Sequence, residues 1–156
     1  MKELRTGIGS DHAGFQYKQQ LIEAFREEGY HLVDLGADSE APYDYPDIAR
    51  KMGEAMLTGL IDRGILICGS GVGVSVAVNK FPGIRAGICH DAYSAHQGVE
   101  HDDMNVLCLG QRIIGIELAK ELVRTFLNAR FSAEERHRRR LDKVLAIEKE
   151  YLRGAG

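Results

Sequence analysis

Short apolar runs alternate along this chain with stretches whose apolar residues recur every three or four positions. Runs of the first kind lie at 6–9, 31–35, 64–68, 85–89 and 105–109, and their length suits strands. The run Gly64 to Cys68 is apolar at every position after the glycine, as expected of a strand covered on both faces. Stretches of the second kind predict helices. Residues 15–28 place Tyr17, Leu21, Ile22 and Phe25 on one face, and Gly29 stands at the stop. A helix opening at Pro46 carries Ile48, Met52 and Met56, and 92–99 forms another. Ile116, Ala119, Val123, Phe126 and Leu127 give a further stripe, and a last segment, 133–152, carries Leu141, Val144, Leu145 and Leu152. A glycine-rich stretch after Cys68 should open one more helix.

Strand and helix alternate throughout, so the fold class is α/β: one doubly wound, parallel, five-stranded sheet, flavodoxin- or Rossmann-like, with an extra C-terminal helix. Neither a repeat nor a linker interrupts it, and a single domain over 1–156 is expected. In such sheets ligands bind beyond the carboxyl ends of the strands. That singles out Asp11-His12, the loop 36–46, the stretch from Cys68 to Gly73, His90-Asp91, and the stretch from Gly110 to Arg112.

Composition narrows the class. The chain has 156 residues, 44% hydrophobic and 28% charged, with a formal net charge of −3. That balance argues against nucleic acid as the partner, although Arg130, Arg136, Arg138, Arg139, Arg140 and Lys143 make one segment basic. The three cysteines, Cys68, Cys89 and Cys108, each lie in or at the end of an apolar run, which is not a disulfide framework. No Cys or His pair has zinc spacing, so no metal is expected. No apolar signal region or membrane span is evident, and the expected setting is the reducing cytoplasm.

Candidate chemistry clusters at the strand ends. In Cys68-Gly69-Ser70-Gly71-Val72-Gly73 the alternate glycines let backbone N–H groups converge on an anion. A thiolate facing such donors would serve as a base beside an oxyanion hole. Taken alone, Cys68 reads more readily as the buried end of a strand. The loop is neither a dinucleotide fingerprint, since Val74 takes the third glycine position, nor a P-loop, since it lacks the GK[ST] ending. Asp11 and His12 suit proton handling and phosphate, and Asp11 also suits a helix cap. His101 lies among Glu100, Asp102 and Asp103, either held by those acids or merely solvated. Arg136 and Arg140 stand four apart on a helix, where an anion would relieve their repulsion; a solvated face or a nucleic-acid contact are the other readings. Arg112 sits just past a strand, and Tyr45 either reaches the site or plugs its loop. His31, His90, His96 and His137 show no partners, and Cys89 and Cys108 read as packing.

Together GSDHAGFQYKQ, DYPD at 44–47, GILICGSGVGVSVAVNKFPGIRA at 64–86, EHDDMNVLCLGQRIIG at 100–115 and ERHRRRLDKV at 135–144 resemble the ribose-5-phosphate isomerase B family, which also holds the galactose-6-phosphate isomerase subunits. The resemblance covers nearly the whole chain. It implies a flavodoxin-like sheet, a homodimer or a pair of dimers with sites shared between subunits, and the segment 133–152 packed on a partner. It implies no cofactor. By position it makes Cys68 the base between C1 and C2, because Val74 stands where other members carry a glutamate. Ser70 would pass a proton between O1 and O2, and the amides of Gly69, Gly71, Val72 and Gly73 would hold the enediolate. Asp11 and His101 would open the sugar ring. His12, Arg112, Arg136 and Arg140 would grip the phosphate, and Tyr45 would lie in the pocket. Asp102 replaces the usual sugar-binding asparagine and Met104 a smaller or polar residue. A tetrose, pentose or hexose phosphate therefore remains open, with ribose 5-phosphate first; a non-catalytic sensor is the alternative from another class.

Overall fold

The structure, a computed structural model, describes residues 3–152. Strands β1 (Thr6–Ser10), β2 (Leu32–Asp34), β3 (Arg63–Cys68), β4 (Ala86–Ile88) and β5 (Val106–Gly110) form one parallel sheet in the order β2-β1-β3-β5-β4. The doubly wound flavodoxin-like sheet is as expected, with its last two strands exchanged in order relative to 2-1-3-4-5. Helices α1 (Phe15–Glu27), α4 (Ala92–Asp102) and α5 (Ile116–Asn128) cover one face, and α2 (Tyr45–Leu57) and α3 (Val72–Val78) the other. A sixth helix, α6 (Glu135–Ile147), runs on into a π turn (Glu148–Leu152) and packs on α4.

The central strands explain the layering. Along β3 and β5 side chains alternate: Ile65, Ile67, Leu107 and Leu109 meet Leu21, Phe25, Val99 and Phe126, whereas Leu66, Cys68, Val106 and Cys108 meet Ile48, Met52, Val74 and Val78. Each large aliphatic side chain buried here stabilises by about 1.5–3 kcal/mol. A Cβ on Gly9 would come within 2.7 Å of the Ile48 side chain, so the glycine lets α2 lie close to β1. Helix α1 stops where predicted: Gly29 takes φ +89°, Gly29 N–H bonds Arg26 O at 3.0 Å, and Tyr30 N–H bonds Phe25 O at 2.8 Å. At the sheet's edge the amide of Asn79 donates to Ala86 O at 3.0 Å and accepts from Ala86 N–H at 2.8 Å.

One expected boundary is corrected. Helix α4 runs to Asp102 rather than to 99, closed by Asp103 at φ +50°, with Met104 N–H bonded to Gly98 O at 3.0 Å. Aspartate tolerates this left-handed conformation better than most residues, and its carboxylate pairs with Arg85 at 2.9 Å. His101 and Asp102 therefore stand on a helix, not in a loop.

The order in which strands are added reverses between β1 and β3, and the chain segments leaving β1, β3 and β5 are sewn together there. Asp11 N–H bonds Ile67 O at 3.3 Å, Gln111 N–H bonds Cys68 O at 2.9 Å, and Arg112 N–H bonds Gly69 O at 3.0 Å. This is the crevice in which an open α/β sheet binds ligands.

Candidate active site

Asp11, His12, Ala13, Tyr45, Cys68, Gly69, Ser70, Gly73, Arg112 and Ile113 enclose a cleft of about 410 Å³ at that crevice. Each lining residue is held by its element. Cys68 ends β3 at 5% exposure, and its Sγ accepts from Gly71 N–H at 3.0 Å. The bond needs a left-handed turn, which Gly71 supplies at φ +82°. Burial pushes the thiols of Cys108 and Cys89 up, Cys89 to about 11, as befits packing residues outside the cleft.

The expected nest of amides is partly engaged within its own loop. Gly71 N–H points at the Cys68 sulfur, and Val72 N–H donates to Ser70 Oγ at 3.2 Å. Neither Gly71 nor Val72 lines the cleft. Gly73 and Val74 precede the first helical bond of α3, Ser75 N–H to Gly71 O at 3.2 Å, so their N–H groups have no acceptor within the helix. Gly73 lies under the ring of Tyr45, which a Cβ there would meet at 3.0 Å. Tyr45 thus forms a wall of the cleft.

Asp11 Oδ1 accepts from Ala13 N–H at 2.9 Å and Gly14 N–H at 3.1 Å, so the cap reading holds, and the residue also faces the cleft. His12 is fixed at Nδ1, which lies 3.1 Å from Tyr43 N and 3.2 Å from Tyr43 O. Arg112 projects from a loop anchored on both sides. Gln111 Oε1 accepts from Tyr17 N–H at 3.0 Å, and Tyr17 O–H donates to Ile114 O at 2.7 Å. Its guanidinium lies over Gly69, where a Cβ would stand 3.3 Å from Nη1. Among the described residues no carboxylate pairs with it.

Four candidates lie elsewhere. His101, Asp102, Arg136 and Arg140 are not part of the cleft's lining; they stand on α4 and α6. The acids beside His101 do not hold its ring. Its Nδ1 lies 3.0 Å from Gln97 Nε2, and its face stacks on His137 at 4.0 Å. Arg136 donates from Nε to His137 Nε2 at 3.2 Å and meets Glu134 at 3.3 Å. Arg139 and Arg138 on the same exposed helix are engaged elsewhere, one paired with Glu135 at 2.9 Å and the other over the Phe131 ring.

Sequence reasoning missed Ala13 and Ile113 in the cleft, and it left His90 and His137 without partners. His90 Nε2 accepts from Gly110 N–H at 3.0 Å, and burial holds its pKa below the ordinary value. The contact of His90 with Gly110 and the stack of His137 on His101 join residues distant in sequence and carry no local signal, whereas His96, also read as without a partner, meets Glu100 one turn on at 3.2 Å. Among the described residues no helix is long and apolar enough to cross a membrane.

The cleft joins a sulfur, carboxylate, hydroxyl and imidazole to a free guanidinium, a set suited to moving protons on a small anionic substrate. Sequence comparison agrees. Residues 6–144 match the model of the ribose/galactose isomerase family. Ribose-5-phosphate isomerase B of Escherichia coli K12 is 42% identical over 144 residues, 92% of this chain and 96% of that protein. D-erythrulose-4-phosphate isomerase of Pectobacterium atrosepticum is 39% identical over 130 residues, 82% of this chain and 85% of that protein. The solved structure of ribose-5-phosphate isomerase B from Clostridium thermocellum superposes with a TM-score of 0.91 at 44% identity, covering 95% of this chain and 99% of that one. The protein is thus an aldose–ketose isomerase acting on a sugar phosphate. It belongs to the ribose/galactose isomerase family.

Proposed function

We propose that this chain interconverts D-ribose 5-phosphate and D-ribulose 5-phosphate, in a homodimer whose two sites each draw on both copies. The observation that carries the reading is the Cys68 sulfur in the cleft, 3.0 Å from an N–H that orients it. With Asp11 and a second copy's His101 assisting, the furanose ring opens to the free aldehyde. The Cys68 thiolate removes the proton from C2, and the electron pair moves onto O1 to give an enediolate. Ser70 transfers a proton between O1 and O2, and the proton on sulfur returns to C1. N–H donors at the developing oxyanion supply about 10²–10³-fold each, and a positioned base about 10²–10⁴-fold.

Phosphate would be held by His12 and Arg112 of one copy and by Arg136 and Arg140 of the other. Two observations support the shared site. The cleft contains one cationic side chain that is unpaired, while the remaining candidates sit together on α4 and α6. Val72 and Val76, beside the cleft on α3, are 52% and 56% exposed, as are Val144 and Ile147 on α6 at 51% and 61%, leaving apolar faces for a second copy to cover. In this reading the whole chain is one isomerase domain.

A second substrate has a specific observation behind it. Asp102 is exposed and accepts hydrogen bonds without donating when ionised, and relatives at 36% and 39% identity are named D-erythrulose-4-phosphate isomerases. An isomerase assay on D-ribose 5-phosphate, D-erythrulose 4-phosphate and a hexose 6-phosphate tests the reading. The highest kcat/KM on ribose 5-phosphate is expected; a higher value on the tetrose replaces the substrate, and no turnover on any removes the function. Mixing Cys68→Ala with His101→Ala chains tests the sharing. Each alone is nearly inactive, and exchange of subunits should restore about a quarter of wild-type activity.

A further inference from the structure

One buried group has no part in the reaction as written. His137 is 3% exposed on a helix whose arginines are exposed. Its ring stacks on that of His101, centroid to centroid 4.0 Å at 23° between planes. Its Nδ1 lies 2.6 Å from Ser132 Oγ, and its Nε2 accepts from Arg136 Nε–H at 3.2 Å. A guanidinium only donates, so Nε2 is the acceptor and the ring's proton sits on Nδ1, given to Ser132. Ser132 is tied down in turn. Its N–H bonds Glu100 O at 2.9 Å, and its Oγ accepts from Glu134 N–H at 3.2 Å. Gln97 holds the other ring of the stack by its Nδ1 edge at 3.0 Å, leaving His101 Nε2 as its free edge.

We propose that His137 is a positioning residue: one neutral imidazole that sets both the plane of the His101 ring and the direction of the Arg136 side chain. The proposal rests on the functional reading above, in which those two groups of one copy reach the substrate in the other's cleft. An arginine already held at Nε has less freedom to lose when it grips a phosphate. An imidazole held by a stack and one edge presents its free nitrogen in one direction, the geometry that proton transfer needs. The ring's surroundings keep it neutral. Burial acts first, and His101, Arg136 and Arg140 oppose a second positive charge, with Glu134 alone favouring one.

Three variants separate this role from mere packing. His137→Phe keeps the stack and loses both hydrogen bonds; His137→Gln keeps an acceptor near Nε2 and loses the stack; His137→Ala loses all three contacts. Turnover of D-ribose 5-phosphate, thermal melting and gel filtration are measured for each. His137→Phe should raise KM about tenfold with kcat within about threefold, the loss of one charge-assisted hydrogen bond. His137→Gln should lower kcat about tenfold with KM within about threefold. A structural role would move kcat and KM together with the melting temperature and would not split them between variants. Long-range proton–nitrogen NMR of the wild type should show a neutral imidazole protonated at Nδ1 that is absent from His137→Phe, beside that of His90, whose Nε2 accepts from Gly110 N–H. An active wild type whose Phe and Gln variants keep both constants within twofold, or change them in parallel, overturns the positioning role alone, as does a His137 protonated at Nε2. A wild type inactive on every sugar phosphate overturns the functional reading and the positioning role with it.

Discussion

The sulfur of Cys68 and the backbone N–H of Gly71 meet at 3.0 Å across a turn closed by a left-handed residue. The contact joins the end of β3 to the start of α3, and it ties down a sulfur whose residue lines the cleft. The proposed base and the glycine loop proposed to hold the oxyanion are therefore one local unit, and each can be probed by its own substitution.

Replacing Cys68 by Ala should lower kcat by about 10²–10⁴-fold, the worth of a positioned general base. Calorimetric affinity for the sugar phosphate should stay within a few-fold, because Arg112 and His12 are untouched. Turnover near the wild-type rate would leave the reaction without its assigned base.

Gly71→Ala probes the turn. A side chain at φ +82° costs roughly 1–2 kcal/mol, and its Cβ would stand 3.1 Å from the Leu109 carbonyl carbon. Denaturant unfolding should show that loss of stability. A fall in kcat beyond the loss of folded protein should accompany it, since the sulfur's donor shifts with the turn.

Arg112 offers the opposite balance. Its guanidinium is exposed and free of carboxylates among the described residues, so Arg112→Ala should leave the melting temperature unchanged. KM should rise about tenfold through the lost phosphate contact. An unchanged KM would take Arg112 out of the phosphate clamp.

Stability should also depend on pH in a window set by two imidazoles, one buried at His137 and one half-buried at His90. Burial lowers the pKa of His137 and of His90 below the ordinary 6.5. Below pH 6.5 the unfolded chain then binds protons that the folded chain does not, so stability falls as pH drops. The groups facing His137 act in the same direction, except Glu134. Melting temperatures between pH 7 and about 5 should decline, and His137→Phe should flatten the slope. A wild-type melting temperature constant across that window would contradict the lowered pKa of both rings.

Much of this arrangement is legible from residue order. The runs at 64–68 and 105–109 become the interior strands β3 and β5, the first longer by one residue and the second shifted by one, because uninterrupted apolar sequence permits only a position covered on both faces. Gly29 marks the end of α1 because its left-handed conformation closes the helix. Asp11, His12, Cys68, Ser70 and Arg112 meet because strand-end positions converge at a switch point. The length of α4 was not legible, because Asp103 rather than glycine ends it. The stack of His101 on His137 was equally hidden. It depends on how α6 lies against α4, and the intervening sequence carries no trace of that angle.

The outer rim of β4 carries a further implication. Asn79 answers both polar groups of Ala86 with its side-chain amide, as the backbone of a sixth strand would. At Ala86 that rim's hydrogen-bonding groups are already taken, and the opposite rim, β2, is only three residues long. Growth of the sheet from one molecule into the next is thereby disfavoured, which leaves helices and loops, the surfaces that carry the candidate site, as the places for copies to meet.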